Sequence, residues 1–131
     1  MVADSRFLRT RTDDQTFRNR LVPVGHLSVA ATSSGSADTL YTVPDGKAFE
    51  LEKMVVVNTD TGAVKITIHA IPEGDSIGDA NLEVLEYSIA SKTTENLTSI
   101  MCGFWEAGTV IKVYADTASK LHVHGYGKEW Q

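Results

Sequence analysis

One rhythm runs through residues 26 to 131: short stretches rich in β-branched and aromatic residues, each closed by a cluster of Gly, Pro, Asp, Asn or Ser. Successive side chains of a strand point to opposite sides, so apolar residues at every second position mark a strand with one buried face. Val64, Ile66, Ile68 and Ala70 alternate with Lys65, Thr67 and His69. Ile111, Val113 and Ala115 alternate with Lys112 and Tyr114, and Leu121 and Val123 with His122 and His124. Such stretches at regular spacing predict an all-β, antiparallel sandwich or barrel. Strands are expected near 26–32, 38–43, 47–57, 63–71, 83–90, 95–101, 109–115 and 120–126. Eight strands is the jelly-roll count, so the expected fold is a jelly-roll-like β-sandwich.

The third stretch departs from the rule. Phe49 and Leu51 alternate with Glu50 and Glu52, and then Met54 to Val57 is continuously apolar. Either a bulge near Lys53 or a second cover, such as a subunit interface, accounts for that pattern. Pro44-Asp45-Gly46 combines a fixed φ with a residue tolerant of positive φ, which suits a tight turn; Asp60-Thr61-Gly62 and Ala107-Gly108 do similar work. The stretch from Pro72 to Ala80 reads as a longer surface loop with one helical turn at its end.

At 131 residues one core is expected, and 42% hydrophobic with 22% charged residues is the composition of a folded globular chain. The longest apolar run, Met54 to Val57, falls far short of the roughly 20 residues of a membrane-spanning helix. Residues 1 to 9 carry scattered charge and no apolar h-region, so Sec-type export is not expected. Cys102 is the only cysteine, which rules out an intrachain disulfide or a thiolate zinc set; it reads as a partly buried thiol in a reducing compartment.

The charge is uneven. Residues 1 to 25 form an expected arm with five arginines against three aspartates, +2, while residues 26 to 131 carry seven basic and fourteen acidic residues, -7. An acidic body repels phosphate backbones, so nucleic acid is not an expected partner. In the arm, Arg6, Arg9, Arg11, Arg18 and Arg20 are interleaved with Phe7, Leu8, Phe17 and Leu21. That is too much apolar content for a linker, and these nine residues are expected to grip a protein partner. Only 13–20 has a helical pattern, with Asp13 or Asp14 as cap.

Candidate chemistry is thin. His122 and His124 project from one strand face as metal ligands might, but a site needs a third ligand, and His69 supplies it only if the fold brings it close. Asp75 and Asp79 lack the calcium-loop spacing, and Glu50 with Glu52 reads as a solvated or interface face rather than a hydrolase pair. No G-x-S-x-G, Walker or Rossmann pattern occurs, so no enzyme, metal or cofactor is expected. Trp105, Tyr114, His122, His124, Tyr126 and Trp130 are the expected oligomer or ligand surface, with Phe104 beside them.

Leu40-Tyr41-Thr42-Val43-Pro44-Asp45-Gly46-Lys47, Val57-Asn58-Thr59, the Pro72-x-Gly74 loop, Gly108-Thr109-Val110-Ile111-Lys112-Val113 and Leu121-His122-Val123-His124-Gly125-Tyr126-Gly127 together resemble small β-sandwich virion proteins of tailed bacteriophages. The resemblance spans residues 38 to 127 and leaves the arm unmatched; at Gly108-Thr109 the family more often has an acidic residue than threonine. It implies a capsid decoration or cement protein on the outer capsid surface, made in the bacterial host cytoplasm. Its implied partners are the major capsid protein, whose subunits it bridges, and itself as a homotrimer. A receptor- or carbohydrate-binding module of a tail or head fibre is the alternative, and a metal-dependent cupin-like enzyme a weaker third.

Overall fold

The computed structural model describes residues 19–131. Nine strands form two antiparallel sheets: β1 (Asn19–Ser28), β2 (Asp38–Thr42), β3 (Ala48–Asn58), β4 (Val64–Ile71), β5 (Leu82–Ile89), β6 (Thr94–Asn96), β7 (Phe104–Trp105), β8 (Val110–Ala115) and β9 (Leu121–Trp130). The first sheet has the order β1-β9-β3-β6, with β7 pairing the same edge of β3; the second has the order β2-β8-β4-β5. With β6 and β7 counted as one interrupted strand, this is the eight-position, two-sheet pairing of a jelly roll.

The core is the set of inward positions the alternation marks. Phe49, Met54, Val56, Ile66, Ile68, Ile111, Val113, Leu121 and Val123 are all buried between the sheets. Polar anchors close the ends. Asn58 donates to the carbonyls of Gly62, Ile89 and Ala90 and accepts from the Asp60 N–H, and Asp38 accepts from the N–H groups of Ala30 and Ala31.

Several boundaries differ from the sequence expectation. The first strand starts at Asn19, not near 26, so the expected division between arm and domain at residue 25 falls inside β1. The reason is a bulge between Pro23 and Gly25, which breaks the alternation while pairing with β9 continues from Asn19↔Trp130 to Ser28↔His122. Of the expected 13–20 helix, residues 19 and 20 are strand and the rest lies outside the described residues. The stretch expected as strand 95–101 divides into β6 and a 3-10 turn, Thr98–Ile100.

The bulge expected near Lys53 is present, between Leu51 and Lys53, where β3 pairs with β9. It sits level with the β1 bulge, and both face Gly125-Tyr126-Gly127. There the backbones press together: a Cβ on Gly125 would collide with the Lys53 carbonyl oxygen, and one on Gly127 with the Glu50 carbonyl oxygen and the Phe49 ring. These two glycines let three strands meet across paired bulges.

Candidate interaction surface

Residues paired across antiparallel strands point to the same side, so the register of the first sheet lays out its outer face in rows. At the end where β2 turns into β3 lies Asn19–Trp130–Ala48, followed by Leu21–Lys128–Glu50–Phe104. Tyr126 follows beside Pro23 and Lys53, then His26–His124–Val55–Asn96, and last Ser28–His122–Val57–Thr94. Leu21 is 62% exposed, Phe104 56% and Tyr126 44%. Large apolar side chains left this open, clustered on one sheet, make this face a candidate interaction surface.

Short contacts order the face. Trp130 Nε1 donates to Glu50 Oε1 at 3.2 Å, and Lys128 pairs with Glu52 at 3.7 Å. Glu50 and Glu52 thus serve the face as partners of its aromatic and basic side chains. The rings of His26 and His124 stack at 4.8 Å, 4° from parallel.

Four of the six residues expected as an oligomer or ligand surface, His122, His124, Tyr126 and Trp130, lie on this face of β9. Two do not join it. Trp105 is 5% exposed and stacks on Phe49 at 5.7 Å inside the core, because β7 pairs with β3 in the register Phe49↔Trp105. Its indole is therefore not a stacking platform for a sugar. Tyr114 stands on the second sheet, its ring 6.1 Å from that of His69.

His69 is also displaced from its expected place. It is buried, not exposed, with Nδ1 2.9 Å from Asn81 Oδ1 in the loop after β4. Being in the other sheet, it is no third ligand for His122 and His124, and no cluster of three or more potential ligands occurs among the described residues. Of the nine arm residues, Arg6, Phe7, Leu8, Arg9, Arg11, Phe17 and Arg18 lie outside the described residues. Arg20 and Leu21 are part of β1, Leu21 on the outer face and Arg20 3.4 Å from Glu129.

Sequence reasoning missed Glu129. It is an inward, buried position of β9 that accepts the Tyr41 hydroxyl at 2.6 Å and lies 3.9 Å from Lys47. Tyr41 belongs to the second sheet, so this bond ties the sheets together at their open end. Burial, and then the carboxylate of Glu129, push the Tyr41 phenol well above the ordinary tyrosine range.

The fold is similar to that of a chain of the T13 infectious bursal disease virus particle, at 9% identity and a TM-score of 0.50, over 88% of this chain and 31% of that one. The likeness is one of fold. A chain of the Gx strain of the same virus aligns at 12% identity with a TM-score of 0.43, over 87% of this chain and 31% of that one. The VP2 subviral particle gives 15% and 0.38, over 86% and 32%. The described jelly roll thus spans about a third of the length of each viral chain. No protein-family model and no curated protein sequence matches the chain.

Proposed function

We propose that this chain is a non-catalytic virion structural protein, a decoration or cement protein that sits on the outer capsid surface and bridges major capsid protein subunits as a homotrimer. The observation that carries the reading is the open outer face of the first sheet, with Leu21, Phe104, Tyr126 and Trp130 on a rigid jelly roll. The fold likeness to a viral particle chain and the sequence resemblance to phage virion sandwiches support it. Such a protein works by mass action: area buried across subunit boundaries must be exposed again before the shell opens.

Size argues for a second contact. Four strands at ~4.8 Å spacing and ~34 Å length give a face of roughly 650 Å², below the roughly 800 Å² per partner of a stable interface. Residues 1–18, with Arg6, Arg9, Arg11 and Arg18 among Phe7, Leu8 and Phe17, supply the remainder.

Co-sedimentation with capsids tests both parts. The double variant Phe104→Ser, Tyr126→Ser should bind at least tenfold more weakly at an unchanged melting temperature, and deletion of residues 1–18 should weaken binding similarly. The deletion stops at 18 because β1 begins at Asn19 and pairs with β9 from there. Full occupancy by both variants would overturn the reading.

A further inference from the structure

Lys65, Thr67 and His69 are the polar, outward positions of β4, yet only Lys65 is exposed. Asn81, at the end of the segment joining β4 to β5, meets His69 Nδ1 at 2.9 Å. Earlier in that segment, residues 72–77 line one cleft with Val110 and Lys112 of β8. Residues 72–81 thus form a roof over this part of the second sheet's outer side.

The hydrogen bonds of the roof fix where the His69 proton sits. Asn81 Oδ1 accepts the Gly78 N–H at 3.1 Å, and Nδ2 donates to the Ser76 carbonyl at 2.9 Å. Turned over, the amide would set donor against donor and oxygen against oxygen, so its oxygen is the atom that meets His69. Nδ1 is therefore the donor and carries the hydrogen. In the neutral ring that leaves Nε2 as a bare acceptor, and this atom is buried with no hydrogen-bond partner.

A second proton has only Nε2 to go to, where it would be a buried donor without an acceptor on a charged ring. Burying an unpaired charge costs far more than burying a lone pair. The surroundings offer no compensation. From β8, Lys112 stands opposite His69 in register and on the same side, a second cation, and the Tyr114 ring lies 6.1 Å away. From β5 the opposite residue is Leu82, and the carboxylate of the next residue, Glu83, is turned to the Cys102 N–H. Along β4 the neighbours are Thr67 and Ile71; from the roof the contact is Asn81, with Asp79 exposed two residues before it. No carboxylate pairs with His69 among the described residues.

We infer that the roof is an acid-released latch, closed while His69 is neutral and opened when Nε2 takes up a proton from water. Opening uncovers His69 and Lys112 on the outer side of the second sheet. The direction follows from the proton count. The open form binds one proton more than the closed form, so closure is weakened as pH falls below about 6.5, where a solvated imidazole becomes charged. This inference concerns the chain alone and does not rest on the virion reading.

Amide exchange at Gly78 and Asn81, whose N–H groups are bonded within the roof, reads the open fraction once corrected for the intrinsic pH dependence of exchange. Between pH 7.5 and 5.5 their protection should fall about tenfold, the full effect of one proton bound by the open form alone, while that of β9 stays unchanged. In His69→Asn the amide nitrogen takes the place of Nδ1, which keeps the donor to Asn81 without a group that titrates. The fall should vanish in that variant, whose fold is checked by its melting curve. Equal protection at both pH values in the unaltered chain, a fall shared by β9, or the same fall in His69→Asn would overturn the inference. The unaltered chain also gives a test by itself: long-range proton–nitrogen correlation spectra at pH 7.5 should place the His69 hydrogen on Nδ1. Finding it on Nε2 would refute the latch.

Discussion

His69 and His124 occupy equivalent polar positions of alternating strands, one in each sheet, and meet opposite surroundings. His124 lies on an open face and stacks on a second histidine; His69 is buried beside a loop of its own chain. In that loop a single residue makes the tie: Asn81 Oδ1 accepts the Gly78 N–H and meets His69 Nδ1, while Nδ2 donates to the Ser76 carbonyl. Thr67 is buried as well and accepts the Glu86 N–H where β5 leaves regular strand geometry at a positive φ. The outer side of β4 is thus covered at His69 and Thr67, although β5 beside it leaves Leu85 and Tyr87 exposed, while the first sheet keeps an aromatic face open. Alternation specifies which side a residue faces, not what covers that side.

The contrast is broken most severely at the glycines beneath the open face. Gly127→Ala sets a methyl against the Glu50 carbonyl and the Phe49 ring, and should cost 3 kcal/mol or more, about the upper range for overpacking, with loss of cooperative melting as the readout. Asn81→Ala strips the roof of its tie and leaves polar groups of the loop and of His69 unpaired. A loss of about 2 kcal/mol is expected, with faster hydrogen exchange in β4 and unchanged exchange in β9.

Tyr41→Phe removes one bond between the sheets, and Glu129 keeps Arg20 and Lys47 nearby, so about 1 kcal/mol is expected near neutral pH. It also changes the pH response. The folded chain holds the Tyr41 proton above the unfolded value of 10.0, so that stabilisation is complete below pH 10 and is lost as pH rises further. Denaturation at pH 9 and 11 should show a steeper loss for the unaltered chain than for Tyr41→Phe. The smallest effect belongs to the open face: Tyr126→Ser should shift folding stability by less than about 0.5 kcal/mol. A larger shift would mean that the face already serves its own fold.

Much of the fold is legible in the sequence because strands with one buried face write their period directly: β2, β3, β4, β8 and the first half of β9 lie where alternation puts them. The misses have separate causes. Pro23 and Gly25 at a bulge make the start of β1 read as arm, and β7, two residues long, has no period to show. Glu129 was within reach: counting by twos from Leu121 and Val123 passes through Gly125 and Gly127 to an inward carboxylate. Trp105 and His69 were beyond reach, since strand register and loop cover are tertiary facts. Of the candidate surface, the β9 residues are legible in the sequence, whereas Leu21 reads as part of the arm and Phe104 only as a neighbour of the aromatic set.

The two bulges have a geometric consequence for anything that docks on the open sheet. Bulges bend their strands and sharpen the twist. With one in β1 and one in β3 at the same level, the sheet is expected to bend most sharply near Tyr126. On one side lies a facet of Leu21, Lys128, Trp130 and Phe104; on the other, one of stacked imidazoles and valines. A partner that engages both facets must therefore follow that bend rather than lie flat.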